Sequence, residues 1–469
     1  MAEISKQSVS DVNIDKIFIV ADQSLAVDIW DQAIEVNIYQ DLYEPFLTCD
    51  VTIEDGLDIY NELARSPSRQ PGFTGHDLLV ISYTSTFPGD NIPSKTHAFV
   101  LYEVEDRFRT KEKSELVSLQ GISIEGWLSV DKKISRAYGY NTKNNKKTIS
   151  HYVKSVVDEF IYNKQAKDIY DRIAESAMKV RVVRNNTYGE TKSRLPYIVP
   201  FLAPIDAIDK LMDEADNDLD TPLFTFYEDS TGFHFADISK LVDADFDSLN
   251  NTFTYEPSNA VEGGRSQDFI DLKKVLSFEV IKQTDTMIAK LGGLFKSKTI
   301  NIDVLKKNKT EIIYNYDKSG QIFSKLNDGN LPHGHLVSGT SSPDASVYMR
   351  TSRVGHDYYK LFESEHHLPK KSNTLLGKRQ SYGEHLENIM LSVTLNGHSE
   401  LDVGNKINLV IPKATTIGNK REANIDKYLS GYYLITRLRH IIKDNNMDTV
   451  IEVMKDTEST APITQPHKG

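Results

Sequence analysis

Alternating apolar and polar residues dominate the first 135 positions of the chain and predict a run of β-strands. The clearest alternation covers Phe99–Phe108, a polar turn follows over Arg109–Ser114, and Glu115–Ile124 alternates again. One face of the first run carries Val100, Tyr102, Val104 and Phe108, and the other carries Glu103, Glu105 and Arg107. This pattern predicts a half-buried antiparallel hairpin. Further strands are predicted on both sides of a turn at Glu44–Pro45 and over Gly75–Ser85.

The apolar period changes to that of a helix after residue 145. Thr148–Ile161 carries an apolar stripe and starts at a residue type suited to a helix N-cap. A second helix is predicted over Ala203–Ala215, with Pro204 near its start. Leu223–Ile238 predicts a hairpin that turns at Asp229–Gly232. Helices followed by a hairpin predict a small α+β domain over residues 145–248.

Strand patterning returns after Asn251 and is strongest between Glu387 and Asp456. Residues 329–385 are rich in Gly, Ser, His, Asn and Pro, and we interpret them as an inserted excursion with a weak helical stretch. Residues 457–469 lack core-forming side chains and predict a flexible tail. The predicted fold is therefore mainly β with α+β insertions. It contains two similar antiparallel, tube-like β-barrel domains, at 1–140 and at 250–328 with 386–456, plus smaller α+β domains.

The two β regions share an order of features that suggests an internal duplication. In each, a strand led by a glycine, Gly75 or Gly404, precedes a connection and then a hairpin of two alternating strands. The expected inward residues of the second copy are Leu409, Ile411, Leu434 and Leu438. The match is one of pattern, so a chance likeness between two β domains stays open. If the duplication holds, three chains would place six similar domains around one axis.

Composition narrows the classes of function. The net charge is −12, which disfavours a protein that grips nucleic-acid phosphates. The acidity favours solubility, and an acidic passage that lets DNA slide without sticking is the alternative. The single cysteine, Cys49, lies in an alternating run, so we expect a buried thiol and no disulfide. The first residues lack the apolar core of a signal peptide, and no apolar run is long enough to span a bilayer. We expect assembly in the cytoplasm without membrane insertion.

Candidate chemistry is sparse. His333, His335, His366 and His367 could in principle bind a metal, but they lack neighbouring carboxylates at ligand spacing, which favours solvated loop histidines. The acidic run from Asp213 to Asp220 has Thr221 and Tyr227 where a calcium loop needs Gly and Glu.

Glycine-rich phosphate-binding loops are also absent from the pattern. Gly377–Arg379 lacks the upstream glycine of such a loop, and Gly292–Gly293 reads as a turn before a strand. The sequence therefore predicts no catalytic residue, cofactor site or metal site.

The C-terminal β region resembles the hub proteins of contractile-tailed, T-even-like phage baseplates and related injection machines. The residues that carry this resemblance are Gly404, Ile407, Leu409, Leu429, Ser430, Gly431, Tyr433, Ile435, His440 and Asp456. The segments VNIYQDLYEP, FVLYEVEDR and SELVSLQGIS in the first half are similar to the same family. PFLAPIDAIDKLMDEA followed by LFTFYEDSTGFHFADISKL extends the likeness through the middle, so it covers most of the chain in order.

The resemblance implies a structural, non-enzymatic virion protein. It implies a homotrimer that joins the hexameric tail tube, or a tube-initiator protein, to the trimeric central spike, contacts other baseplate proteins and forms part of the DNA channel. Two alternatives stay open. A host-facing, carbohydrate-binding adhesin would be monomeric or peripheral with exposed aromatic clusters on 329–385, and a peptidoglycan hydrolase would need a catalytic motif.

Overall fold

The fold was established from a computed structural model. The residues it describes are 12–22, 25–56, 77–85, 94–111, 113–138, 147–175, 182, 184–192, 197–217, 223–246, 251–255, 273–303, 307–316, 323–329, 341–351, 372–413 and 425–459. No helix in these ranges is long and apolar enough to cross a membrane.

The first β unit contains the predicted strands, and its alternating side chains form one core. Its strands are β1 Val12–Asp22, β2 Leu25–Asp28, β3 Ala33–Asp41, β4 Thr48–Asp55, β5 Asp77–Ser85, β6 Lys95–Lys111 and β7 Ser114–Ser123. The core side chains of β4 alternate strictly, and Cys49 is among them, fully buried. A Cβ on Gly121 of β7 would lie 2.7 Å from the Cys49 Sγ, so only glycine lets these strands pack this closely.

An α+β region follows, as the change of period predicts. Its elements are α1 Ile124–Ser129, β8 Ile134–Tyr138, α2 Ile149–Val156 continued by a π-helical turn Val157–Ile161, α3 Lys164–Glu175, β9 Thr187–Tyr188, β10 Tyr197–Leu202, α4 Pro204–Met212, β11 Phe224–Glu228, β12 Phe233–Asp237 and α5 Ile238–Asp243. Thr148 occupies the predicted N-cap position of α2, but its side chain makes no capping hydrogen bond. Helix α3 escaped the sequence analysis, although Ala166, Tyr170 and Ile173 are spaced as one buried helical face.

The second β unit carries a large insertion between its first strands and its last ones. Its elements are β13 Thr252–Tyr255, β14 Lys274–Gln283, α6 Thr286–Leu291, β15 Lys296–Asp303, β16 Asn308–Asn315, a 3-10 turn Pro343–Ala345, β17 Val347–Thr351, α7 Ser372–Leu386, β18 Ile389–Asn396, β19 Lys406–Val410, β20 Gly431–Lys443 and β21 Asn446–Lys455. The four predicted inward residues of this copy, Leu409, Ile411, Leu434 and Leu438, all lie in its core.

Both units belong to one continuous sheet and share the order of their strands, except that β13 runs parallel to β19 whereas its counterpart β1 runs antiparallel to β5. The spatial order β3-β4-β7-β6-β5-β1 in the first unit corresponds to β14-β18-β21-β20-β19-β13 in the second. Pairing of β19 with β20 closes the second unit into a six-stranded barrel. In the first unit, two backbone hydrogen bonds connect β1 with β3: the Ile29 N–H donates to the Ile17 carbonyl, and the Ala33 N–H donates to the Ile29 carbonyl. The architecture is mainly β with α+β insertions, as the sequence predicts.

Three expectations need correction. The hairpin of β6 and β7 is half-buried only at its base, because register shifts after Leu101 and Val104 change the facing, and Phe108 is exposed. Strand β15 pairs with β16 on one side and with β17 on the other in a separate sheet, so part of 250–328 lies outside the barrel. Thr457 and Ser459, placed in the flexible tail, are buried, and the Ser459 N–H donates to the Lys427 carbonyl.

Asp456, at the end of the second barrel, binds the segment that contains Leu326 and Asn327. Its buried carboxylate accepts hydrogen bonds from the Leu326 N–H at 2.8 Å, the Asn327 N–H at 3.2 Å and the Thr457 N–H at 2.7 Å. The Asn327 side chain in turn pairs with both backbone groups of Tyr432, as donor at 2.9 Å and acceptor at 3.0 Å. A single carboxylate therefore satisfies several backbone donors that would otherwise be buried without partners.

Replacing Asp456 by Ala will destabilise the protein by about 3 kcal/mol, because several buried N–H groups lose a charged acceptor at once. The measurement is the midpoint of urea unfolding. Asp444→Asn is the matched control, since Asp444 lies in the exposed β20–β21 turn with a φ of 50° that Asn tolerates. Equal midpoints for the two variants would contradict the assigned role of Asp456.

Candidate assembly interface

The candidate ligands taken from the sequence lie only in part within the residues that the structure describes. Within the described ranges, no three His, Cys, Asp or Glu side chains converge as metal ligands would. His333, His335, His366 and His367 lie outside the described residues, and so does the end of the acidic run at 218–220.

The glycine-bearing segments have structural roles. Arg379 caps the end of α4, since its guanidinium donates to the Asp213 carbonyl at 2.7 Å and also to that of Ala215. Gly293 has a φ of 90° and lies in the predicted turn before β15.

The residues that carry the family resemblance shape the second barrel. Gly404 adopts a φ of 81°, and a Cβ there would lie 2.8 Å from the Tyr227 hydroxyl, which only glycine avoids. The Ser430 hydroxyl bonds both backbone groups of Ile411, accepting at 2.8 Å and donating at 3.0 Å. The Tyr433 hydroxyl donates to the Leu429 carbonyl at 2.8 Å. These contacts close the barrel where β19 meets β20.

The two β units are joined by one strand that changes partner along its length. The first part of β20 pairs with β19 of its own barrel, and the part from Arg437 to Lys443 pairs with β3 of the first unit. A register shift at Ile435/Arg437 marks the change. Beyond it, Ile442 and Met447 lie in the core of the first unit. We call this pairing of β20 with β3 the internal seam.

Charged side chains on the outer face fix the register of the internal seam. Arg437 binds Asp41 at 2.7 Å and Glu452 at 3.2 Å. The Arg439 guanidinium carbon lies 5.5 Å from the centre of the Tyr39 ring. Cross-strand pairs of this kind oppose slippage, because a one-residue shift would turn these charges towards the core.

Asp402 links three parts of the molecule at one buried point. Its carboxylate accepts a hydrogen bond from the Gln40 side-chain amide at 2.8 Å, from the Ser230 hydroxyl at 2.8 Å and from the Lys95 ammonium at 3.3 Å. Gln40 and Lys95 belong to the first unit, Ser230 to the α+β region and Asp402 to the second unit. Burial raises the pKa of Asp402, and the nearby Lys95 opposes that rise.

A second buried cluster fastens the α+β region to the first unit. Arg184, on the chain between α3 and β9, contacts Glu228 of β11 at 2.8 Å and Glu125 of α1 at 3.3 Å. The Tyr170 hydroxyl donates to Glu125 at 2.8 Å, and the Leu47 N–H donates to Glu228 at 3.0 Å. Two buried carboxylates thus share one guanidinium. Burial raises the pKa of Glu228 to about 7, although Arg184 favours its ionised form.

Sequence reasoning missed both buried clusters. Gln40 and Asp402 are 362 positions apart, and Glu125 and Arg184 are 59 apart, so no local period connects them. The available signal was weak: Glu125 lies in the first turn of α1, two residues after the end of β7, where the helix dipole favours an acidic residue even when it is exposed.

No protein-family model matches the chain, and no curated protein matches it. Among solved structures, it is similar to a tail protein from Neisseria meningitidis MC58, with 10% identity over 95% of this chain and 97% of that one, at a TM-score of 0.49. It is also similar to the 43 kDa tail protein of prophage MuSo2 from Shewanella oneidensis, with 10% identity over 94% and 98% of the chains and a TM-score of 0.47.

A third similar structure is the prophage tail protein gp18 from Listeria monocytogenes EGD-e, with 7% identity over 95% and 96% of the chains and a TM-score of 0.42. Likeness at this level decides neither family membership nor function.

Replacing Asp402 by Ala will loosen the contact between the three parts and lower stability by about 3 kcal/mol, because Lys95 is left half-buried without its carboxylate. Hydrogen exchange at the Ser230 and Val403 amides, which lie at the junction, will accelerate. Asp448→Ala, which removes an exposed carboxylate of β21, is the control. Unchanged exchange at both amides would show that Asp402 does not hold the junction.

Glu228 will make stability depend on pH between about 4.5 and 7. Its native pKa lies above the ordinary 4.5, so the native state binds the proton more tightly than the unfolded chain. Stability therefore falls as pH rises through this window, by on the order of 2 kcal/mol. Glu228→Gln keeps the Glu125–Arg184 pair and removes this dependence. The check is the difference in Tm between the two proteins at pH 5 and pH 8, and parallel curves would rule the effect out.

Proposed function

We propose that this chain is a structural subunit of a contractile phage-tail baseplate, acting as a hub rather than as an enzyme. The observation that carries the proposal is the repeat of one order of strands, side by side, within a single sheet. A chain built this way contains two consecutive members of a row of barrels. Such a row suits a protein whose task is to form a ring around an axis.

Three chains would turn the row into a ring of six similar units. This number comes from the resemblance of the C-terminal motifs to baseplate hub proteins, and it explains why a threefold protein would carry a duplication. Six similar faces match a hexameric tail tube or its initiator protein, while the threefold symmetry matches a trimeric central spike. Closing the ring also removes free strand edges, which otherwise promote aggregation.

The division of labour within the chain follows from this proposal. The barrel domains, proposed at 1–140 and at 250–328 with 386–456, form the ring. The α+β domain at 145–248 and the excursion at 329–385 lie beside it, where they can contact the spike and other baseplate proteins. The lumen passes DNA, and a net charge of −12 suits passage without binding. The protein is then a virion component assembled in the host cytoplasm.

The proposal is tested by the mass and shape of the purified chain, alone and mixed with the spike and tube proteins of the same tail. The expected result is a particle of about 160 kDa, three times the chain mass of 53.1 kDa, seen as a ring with threefold symmetry by electron microscopy. It binds the tube protein on one side and the spike on the other.

An unrelated hexameric ring protein is the control for non-specific stacking. A chain that stays monomeric with both tail partners present, or one that lyses cell walls in a zymogram, would overturn the proposed function.

A further inference from the structure

The duplication can be aligned residue by residue because both units end in a hairpin with a two-residue tip. The last pair of β6 and β7 is Lys111 with Ser114, and the last pair of β20 and β21 is Lys443 with Asn446. We aligned the two hairpin tips and then followed the residue pairing from strand to strand. In this alignment β7 corresponds to β21, β4 to β18 and β3 to β14. The pairings themselves therefore fix which residues correspond.

An irregularity in the sheet checks this alignment independently. Strand β3 has a register shift between Ala33 and Glu35, where it lies against β4. Strand β14 has one between Val275 and Ser277, where it lies against β18, and a second between Val280 and Lys282 that has no counterpart in β3. The tip-based alignment places the first of these on the shift in β3. Bulges are specific local features, so their coincidence supports the correspondence of β3 with β14.

The internal seam joins β20 to β3, and the corresponding edges of β6 and β14 have no described strand paired with them. Strand β5 covers β6 only as far as Leu101, and β13 covers β14 only at Lys274 and Val275. From Glu103 onward in β6, and from Leu276 onward in β14, no described strand pairs with the outer edge. These two segments, 103–111 and 276–283, are the free edges of the chain.

Burial changes in the same way between corresponding residues. Ile38 of β3 is fully buried at the internal seam, whereas its counterpart Val280 in β14 is 39% exposed. On the other free edge, Phe108 is 53% exposed. Apolar side chains and unpaired strand edges exposed together mark a surface that another strand can cover.

The charges of the free edges complement each other in the antiparallel direction. In β6, the acidic residues Glu103, Glu105 and Asp106 come before the basic residues Arg107 and Arg109. In β14, Glu279 comes before Lys282. The internal seam pairs Arg439 with Tyr39. In the alignment Asp106 corresponds to Arg439 and Lys282 to Tyr39, so the equivalent pair between two copies is Asp106 with Lys282. One pair of opposite charges therefore meets when the strands run antiparallel, as they do in the internal seam, and the same register places Glu279 opposite Phe108.

We infer that the free edge of β6 in one copy pairs antiparallel with the free edge of β14 in a second copy, repeating the internal seam between chains. This inference rests on the proposed function, which requires copies to join in a ring. It adds the two surfaces that meet, their direction and their register. A head-to-tail contact of this kind leaves one edge of each type at the ends of a row, so only a closed ring satisfies every edge.

The experiment is oxidative cross-linking of full-length Asp106→Cys/Lys282→Cys in a Cys49→Ala background, where only the introduced thiols react. Residues opposite each other in neighbouring strands have Cα atoms roughly 4.5–5.5 Å apart, which a disulfide can bridge. The expected products on non-reducing gels are covalent dimers and closed trimers, with at least a tenfold gain over the control. Circular dichroism confirms that each variant is folded.

The matched control is Asp106→Cys/Lys154→Cys, because Lys154 is an exposed lysine of α2, which belongs to neither free edge. Trimers that form without cross-linking above this control would overturn the inference and leave the proposed function standing. A chain that does not associate, even with the spike and tube proteins, would overturn both.

Discussion

The pairing of β20 with β3 is the interaction on which the rest of the structure depends. One strand closes its own barrel with its first residues and then, beyond a register shift, becomes the edge partner of a neighbouring barrel. The sheet is therefore continuous from one unit to the next, and the β20–β21 tip enters the core of the first unit. Without this pairing, the sheet would be interrupted between β20 and β3, and the facing edges of both strands would be unpaired.

Buried charge reinforces this arrangement at two points. Asp402 holds the α+β turn and both β units together, and Arg184 joins Glu125 of α1 to Glu228 of β11, which accepts a hydrogen bond from Leu47 of the first unit. Neither cluster is strong evidence of net stabilisation, since removing charges from water costs free energy that their attraction only offsets. Their effect is specificity, because any other arrangement of the three parts would leave a buried charge without a partner.

The sequence predicted the parts of the fold that a local period encodes. The strands around Glu44–Pro45, the helix starting after Thr148 and the inward residues Leu409 and Leu434 all follow from spacing, and they were confirmed. Phe108 was misplaced because its burial depends on bulges in β6 and on a neighbouring strand, not on alternation. The role of Arg184 could not be read, since its partners are far away along the chain.

The duplication lies between these cases. The order of its strands could be predicted from the sequence pattern. The correspondence between single residues could be found only from the pairing registers, which show a matching bulge in β3 and β14. The same registers also identify the two edges that remain uncovered.

Hydrogen–deuterium exchange of the assembled ring tests most directly the claim that this seam repeats between chains. The amides of 276–283 and 103–111 are compared in the free chain and in the ring, with 437–443 of the internal seam as the reference. The account predicts that both segments exchange quickly in the free chain and as slowly as the reference after assembly. Rapid exchange in both segments within an assembled ring would contradict it.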